Sequence, residues 1–381
     1  MEHTRKALGL YIHIPFCQRK CHYCDFPSYA GMEDYWEAYI ESVLKELSNK
    51  AEAFSSADIK TLFIGGGTPT LLPYHHIERI MEAVHSQYHV LPECEATIES
   101  NPGTLSDQKL KAYRSSGLNR ISLGLQACQR HLLTKLGRIH TLEDFLLAVE
   151  LAQKNGFENM NADLIFGIPG QSLKDWQETL SQVIALNLTH LSCYSLKIEE
   201  GTVFGDMKDK GSLHEVEEEL DREMYHFAIE HLTQAGYEHY EISNFAKPHY
   251  SCQHNINYWE CGEYIGIGAG AHSFYENRRY ANTSDVRCFI KGIQTEAPLL
   301  EEDNIITLEG KLSERIILGL RMNRGIDLYQ LSCEFDMDLE VKYRKKIERL
   351  LMWNLVEYCG AVLKLTKRGM DLANSVFIEF L

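Results

Sequence analysis

The sequence contains no uninterrupted apolar run near the roughly 20 residues that a membrane-spanning helix needs. Its N-terminus also lacks the apolar segment and small-residue cleavage site of a secretion signal. Acidic residues outnumber basic ones by 54 to 38, and the formal net charge of -16 disfavours a broad surface for nucleic acid or anionic membranes. We find no internal repeat and no low-complexity linker. These absences predict a soluble protein with no nucleic-acid partner and no stable insertion into a membrane.

The chain also lacks an even set of cysteines. It has 11, and most of them lie singly in apolar stretches. A disulfide framework needs pairs, so the pattern indicates free thiols in a reducing compartment and therefore a cytoplasmic location. Three cysteines are different, because Cys17, Cys21 and Cys24 share one short segment. A closed zinc site needs four protein ligands, so three thiolates leave a metal or cluster with one open coordination position.

Strand-like runs alternate with helical periodicity over the first two thirds of the chain. The runs lie at 10–14, 61–66, 95–100, 120–126, 161–168 and 190–198. This alternation predicts an α/β fold with βαβ units and a parallel sheet. Six such units favour a partial (βα)6 barrel of the TIM type, with functional loops at the carboxyl ends of the strands.

The pattern changes after about residue 300. Helical segments at 308–322, 326–334 and 338–352 precede a short apolar pair that turns at Gly360. Helices with a small hairpin resemble a winged-helix appendage. We therefore predict three parts: a barrel over 1–245, a connecting region over 246–300 and a small C-terminal helical domain over 301–381.

The Cys-x3-Cys-x2-Cys loop has three possible interpretations. Its thiols suit three corners of a 4Fe–4S cluster with one iron left free. Zinc with a distant fourth ligand and three ordinary buried cysteines are the alternatives. At these residues the chain resembles the radical S-adenosylmethionine (SAM) superfamily. The resemblance implies that SAM occupies the fourth iron and that one electron from the cluster cleaves it to a 5′-deoxyadenosyl radical.

Further residues resemble the SAM pocket of one subfamily. "GGGTPT" (65–70) follows a strand, and glycines allow a close approach of backbone to a ligand. By itself this stretch is also typical of an ordinary Gly-Pro turn, and each of the other residues is also compatible with a structural role. The resemblance assigns these residues to SAM: Tyr11, Phe26, Gly66, Gly67, Thr68, Glu99, Gln126, Arg138 and Asp163.

That subfamily is related to oxygen-independent coproporphyrinogen III oxidase, which "YIHIPFC", "SLGLQ" and "DLIFGIPGQ" also resemble. The oxidases carry a further cysteine two residues after the third, where this chain has Phe26, and they have an N-terminal extension where this chain has ten residues before Tyr11. Phe26 cannot ligate a metal or pass a hydrogen atom. It could instead pack beside the cluster and shield it from water.

A second motif, "HNINYW", spans His254 to Trp259. It resembles the His-Asn-x-x-Tyr-Trp motif of HemW-type heme chaperones. A neutral imidazole is a good axial ligand for heme iron, and Tyr258 and Trp259 could pack on a porphyrin face. From the residues alone, a histidine beside aromatics is also compatible with a structural role. Cys252, Cys261 and His272 are weaker candidates for the same ligand.

The resemblance implies a heme chaperone with a 4Fe–4S cluster and SAM, which binds heme and delivers it to membrane haemoproteins. It also implies a peripheral position at the membrane during delivery. The alternative is the radical SAM decarboxylation of coproporphyrinogen III to protoporphyrinogen IX. A third possibility, a DNA-binding module, depends on the cations of 340–353, which are more typical of a solvated helix face.

Overall fold

The computed structural model describes residues 5–381, whose strands form a twelve-stranded sheet and a three-stranded sheet. The strands are β1 (Lys6–Ile14), β2 (Ala57–Gly66), β3 (His89–Ser100), β4 (Arg120–Gln126), β5 (Asn159–Phe166), β6 (His190–Ser195), β7 (Glu238–Glu241), β8 (Asn244–Ala246), β9 (Tyr264–Ile267), β10 (His272–Tyr275), β11 (Arg278–Asn282), β12 (Leu300–Ile305), β13 (Ile326–Asp327), β14 (Val356–Cys359) and β15 (Val362–Leu365). The helices are α1 (Trp36–Ala51), α2 (Tyr74–Gln87), α3 (Asp107–Ser115), α4 (Arg130–Lys135), α5 (Leu142–Lys154), α6 (Leu173–Ala185), α7 (Val203–Asp209), α8 (Glu218–Gln234), α9 (Gln253–Trp259), α10 (Val286–Thr295), α11 (Leu308–Arg321), α12 (Leu328–Phe335), α13 (Leu339–Met352), α14 (Lys367–Asp371) and α15 (Ala373–Ile378).

The first six strands are parallel and adjacent in chain order, and one or two helices follow each of them. Each predicted strand overlaps the corresponding observed one. The predicted α/β fold with a partial (βα)6 barrel is therefore confirmed. The sheet stays open across residues 5–381, because further strands extend it on both sides to β7 and β12, and all of these pairings are antiparallel except that of β9 with β1.

Alternation along β1 shows how the sheet is buried on both faces. Leu8, Leu10, Ile12 and Ile14 are fully buried and belong to the main core, which also includes residues of the outer helices. The intervening residues face the other way, into the barrel, because side chains alternate along a strand. Burial on both faces is typical of parallel sheets covered by crossover helices.

The segment predicted as a connecting region contributes to the large sheet. β9 pairs in parallel with β1, and β10 and β11 continue the sheet as antiparallel strands. α9 lies against β2. The division of the chain into three parts stays a prediction.

The C-terminal region has its own core, formed by residues between Leu312 and Phe380. Its helices pack with β13, β14 and β15, and the hairpin turns at Gly360 with a φ of 64°. The predicted combination of helices and a hairpin is therefore present. Among the residues described, no helix has both the length and the apolar character needed to cross a membrane.

Candidate functional site

The carboxyl ends of the parallel strands border a cavity of about 900 Å³. Parallel strands bring residues that follow them in sequence to one edge, which is where binding sites form in such folds. Residues of the C-terminal region also line it, including Met370 and Phe377. The cavity is near the upper end of the range for small-molecule and cofactor sites.

The three clustered cysteines line this cavity as free thiols. The Cys17 Sγ lies 3.6 Å from the Thr68 hydroxyl oxygen, and the Cys24 Sγ lies 3.9 Å from that of Ser28. The loop that carries them is fixed at its base by the Cys17 N–H, which donates to the Tyr29 carbonyl at 2.9 Å. Burial raises the pKa of the Cys17 and Cys21 thiols. Three uncommitted thiols on one loop beside a large cavity fit an iron–sulfur cluster with one open position.

The glycine loop after β2 lies directly against the cysteine loop. The Gly67 N–H donates to the Ile14 carbonyl and the Thr68 N–H to that of Phe16, both at 2.8 Å. A Cβ atom on Gly67 would lie 2.7 Å from the Phe16 carbonyl oxygen, which only the absence of a side chain permits. Gly66 has a φ of +110°, a conformation that also requires glycine.

Glu99 ends β3 beside this loop. One of its carboxylate oxygens accepts the Gly66 N–H at 2.9 Å. Burial, assisted by the nearby Asp163 carboxylate, raises the pKa of Glu99 to about 7. Once it is ionised, a buried carboxyl group at the cavity wall can accept hydrogen bonds from hydroxyl groups of a ligand.

Arg138 reaches the cavity from the loop after α4. Its Nη1 donates to the Asn101 side-chain oxygen at 2.6 Å and its Nη2 to the Tyr23 hydroxyl at 2.9 Å. Its Nε is buried without a partner among the described atoms. Cys21 lines the same cavity. A guanidinium held in this way presents positive charge beside the thiols.

Gln126 and Asp163 complete the inner wall. Gln126 is buried at the end of β4 with a φ of 68°, where the pairing of β4 with β5 shifts register. The Asp163 carboxylate accepts the Ser122 hydroxyl at 2.8 Å and the Asn161 amide at 2.9 Å. One acceptor oxygen of Asp163 is therefore held by Ser122 on the neighbouring strand β4, and the other by Asn161 on β5 itself.

Of the two remaining residues predicted to bind SAM, Phe26 lines the cavity and Tyr11 does not. Tyr11 is outside the cavity lining; its hydroxyl donates to His13 Nδ1, and His13 Nε2 donates to the Pro27 carbonyl, both at 2.8 Å. Tyr11 therefore contacts the cysteine loop through His13. Phe26 lines the cavity beside the cysteines and is 63% exposed.

The "HNINYW" residues lie on α9, away from the cavity lining. His254 is buried, with Nδ1 2.9 Å from the Thr61 hydroxyl and Nε2 2.8 Å from the Tyr258 hydroxyl. Burial lowers the pKa of His254 to about 3. Trp259 packs under the Arg321 guanidinium, 4.3 Å from the ring centre. The motif therefore lies outside the lining that contains the cysteines, and Trp259 reaches that lining only through Arg321.

Sequence reasoning missed several cavity residues. Asn101, Ser122 and Tyr23 hold the predicted residues in place. An outer group lies on β6 and the segment after it, on α8 and in the C-terminal region: Tyr194, Lys197, Arg222, Tyr225, Met370 and Phe377. Asn101 follows Glu99 closely in "IESNP", which was a usable signal. The outer group has no motif and is assembled only by the fold.

Comparisons with known proteins match this architecture. The family model of the radical SAM superfamily matches residues 11–183, and that of the HemN C-terminal domain matches residues 306–372. The heme chaperone HemW of Lactococcus lactis is 36% identical over 377 residues, which is 99% of this chain and 98% of that protein. HemW of Escherichia coli is 40% identical, with 98% of each chain covered. This chain belongs to the HemW heme chaperone family.

Among solved structures, coproporphyrinogen III oxidase (HemN) from Escherichia coli superposes on this HemW-family chain with a TM-score of 0.86. The two are 22% identical, over 99% of this chain and 90% of that one, so this likeness shows the fold alone. The radical SAM family implies a 4Fe–4S cluster and SAM. The cysteine loop and the cavity fit both groups, and the bound cluster would supply one electron to SAM.

Proposed function

We propose that this HemW-family chain binds heme and delivers it to haemoproteins. The observation that carries the proposal is its 36–40% identity, over nearly the whole length, to proteins named heme chaperone HemW. Phe26 supports it, because this side chain lies at the cavity where the resembling oxidases have a further cysteine. The likeness to HemN, at 22% identity, gives no support for oxidase activity in this chain.

In this proposal Cys17, Cys21 and Cys24 hold the cluster. SAM lies in the inner half of the cavity, against the glycine loop (Gly66, Gly67 and Thr68) and the strand-end residues Glu99, Gln126, Arg138 and Asp163. Phe26 covers the cluster side. Tyr11 acts through His13 on the cysteine loop, because its hydroxyl bonds to His13 and not to the cavity.

The heme role of His254, Tyr258 and Trp259 stays a prediction. It requires a change in the structure around α9. Both ring nitrogens of His254 are already hydrogen-bonded, and the side chain is 1% exposed. Ligation of heme iron by His254 therefore requires α9 to leave its place against β2 and the Tyr258 bond to open.

The outer half of the cavity offers heme a surface that needs no such movement. Tyr194, Tyr225, Met370 and Phe377 give it an apolar and aromatic lining. Lys197 and Arg222 also line it, and cations there suit two propionates. Arg222 lies 3.6 Å from Glu218 and 3.4 Å from Glu219, so a propionate would have to replace these carboxylates. A porphyrin bound in this half would lie in the same cavity as the proposed SAM.

The test is an anaerobic heme titration of cluster-reconstituted protein, followed by absorbance. The wild type is compared with His254→Ala, with Lys197→Ala/Arg222→Ala, and with the exposed control Lys174→Ala. Stoichiometric binding by the wild type is expected, and its absence would overturn the chaperone proposal. A spectral change confined to His254→Ala would identify α9 as the ligand source, whereas weaker binding in the double variant would identify the outer half of the cavity.

Heme dimethyl ester, which lacks free propionates, tests the role of Lys197 and Arg222 more directly. If Lys197 and Arg222 bind the propionates, the wild type should prefer heme over the ester by about 10-fold or more, given the strength of charge-assisted hydrogen bonds. The double variant should show no preference. An anaerobic assay for carbon dioxide release from coproporphyrinogen III is run in parallel and is expected to be negative.

A further inference from the structure

Two histidines and a glutamate meet where α1 and α2 begin. Glu37 lies in the first turn of α1, and His75 and His76 lie in the first turn of α2. One ligating atom from each residue lies within 4.8 Å of the others. The rings of His75 and His76 are only 4.2 Å apart between centroids. None of the three lines the large cavity, so the proposed heme function does not use them.

The distance between His76 and Glu37 suits a shared metal ion better than a direct bond. His76 Nδ1 lies 3.7 Å from Glu37 Oε2, which is too long for a hydrogen bond. Two ligands of a tetrahedral zinc site, each about 2.0–2.1 Å from the ion, lie roughly 3.4 Å apart. A small inward movement of one side chain therefore brings both atoms to ligand distance.

His76 gives independent support for a ligand at this place. The residue is 4% exposed, and its buried Nδ1 has no hydrogen-bond partner among the described atoms. Buried polar atoms are normally satisfied, so an unpartnered imidazole nitrogen facing a carboxylate needs an explanation. A metal ion bonded to Nδ1 would satisfy this buried atom.

Arg79, one turn later on α2, orients the carboxylate. Its Nη1 donates to Glu37 Oε1 at 2.7 Å, which leaves Oε2 directed towards His76. Ligating carboxylates are commonly held by such outer hydrogen bonds. We propose that Glu37, His75 and His76 bind a divalent first-row transition metal ion, of the Zn²⁺ or Fe²⁺ class, with its remaining positions open to water.

The location suggests what the ion would do. α1 follows the cysteine loop after a short turn at Glu33–Tyr35, and α2 follows the glycine loop after a turn at Pro69–Leu71. A metal ion at the start of both helices would tie together the segments that leave the two loops. It would therefore restrict the movement of the loops without touching the cavity.

The test uses untagged, cluster-reconstituted, heme-free protein, treated with a chelator and titrated with Zn²⁺ by calorimetry. We expect one site in the wild type and a loss of affinity of about 100-fold or more in His75→Ala and Glu37→Gln, since each removes one of three ligands. His85→Ala, an exposed histidine on the same helix, is the matched control and should bind like the wild type. Equal affinity and stoichiometry in all four proteins would overturn the proposal.

Two further measurements keep the result interpretable. A Cys17→Ser/Cys21→Ser/Cys24→Ser variant, which lacks the three thiols of the cysteine loop, should still bind one Zn²⁺; loss of the site there would contradict the assignment. Hydrogen exchange of residues 17–31 and 65–70 should slow on Zn²⁺ addition in the wild type and stay unchanged in His75→Ala. Both readouts are independent of heme, so failure of the heme proposal leaves them unaffected.

Discussion

The imidazole of His254 lies 2.8 Å from the hydroxyl of Tyr258, four residues later on the same helix, so that two residues of the "HNINYW" motif bond to each other. The other ring nitrogen bonds to Thr61 on β2. Tyr258 also packs at 81° against the histidine ring, with centroids 4.9 Å apart. In this conformation the motif fixes α9 to the barrel. The imidazole nitrogens of His254 that would ligate heme iron are therefore the same atoms that hold the helix in place.

His254→Ala should therefore destabilise the fold even without heme. It removes two buried hydrogen bonds and leaves the Thr61 and Tyr258 hydroxyls to find other partners, so we expect the free energy of unfolding to fall by about 2–4 kcal/mol. Urea unfolding of the apoprotein measures this. Tyr258→Phe, which keeps the ring and removes one bond, should cost about 1 kcal/mol. Unchanged stability in both variants would show that α9 is not held as described.

The stability of the protein should fall as the pH decreases from about 6.5 towards 3. Burial lowers the pKa of His254 to about 3 and that of His13 to about 4, whereas an unfolded histidine titrates near 6.5. Between these values the unfolded state binds more protons than the folded state, so stability rises with pH and is lost on acidification. Each such histidine contributes a slope of up to about 1.4 kcal/mol per pH unit. His254→Gln should reduce the dependence of the unfolding free energy on pH by the contribution of one histidine. Urea unfolding at several pH values measures this.

Glu99 should make SAM binding depend on pH near neutrality. Its pKa is raised to about 7, mainly by burial, so the group is largely protonated at pH 6 and ionised at pH 8. If the carboxylate accepts hydroxyls of SAM, affinity should rise by about 10-fold over this range, because charged acceptors form the stronger hydrogen bonds. Glu99→Gln should show a flat and weaker profile by calorimetry. A flat profile in the wild type would remove Glu99 from the proposed SAM contacts.

Gly67→Ala should disturb the cluster loop far more than a comparable change elsewhere. Its Cβ would lie 2.7 Å from the carbonyl oxygen of Phe16, next to Cys17, and backbone cannot move away freely there. We expect iron content after reconstitution to fall at least several-fold. Gly31→Ala is the control, because it has a φ of +71° but no atom within 4 Å of the added carbon. Its cost should be limited to about 1–2 kcal/mol of backbone strain, with iron content retained.

The sequence was sufficient to predict features that depend on neighbouring residues. The strand positions, the cysteine loop and the glycine loop follow from local periodicity and spacing, and all lie where they were expected. The surroundings of His254 could not be predicted, because Thr61 is 193 positions away and Glu95, which accepts the His254 N–H, is 159 away. The outer wall of the cavity was missed for the same reason, since tertiary packing alone brings Met370 and Tyr225 to the same cavity.

The exposed face of α13 offers a test of the peripheral membrane position that the sequence resemblance predicts. Arg344 and Lys345 are exposed on it, and Met352 and Trp353 at its end are 78% and 49% exposed. Cations beside exposed aromatic and apolar side chains suit an anionic lipid surface, where each basic residue contributes about 1 kcal/mol.

Arg344→Glu/Lys345→Glu should therefore weaken flotation with phosphatidylserine vesicles by at least about 10-fold, because it both removes two cations and adds two anions. Trp353→Ser should weaken it through lost insertion of the ring. Lys174→Glu, on the outer surface of α6, is the control for net charge and should have little effect. Wild-type protein that floats equally with neutral and anionic vesicles, or with neither, would contradict a role for this face and direct attention to protein–protein contact with the recipient.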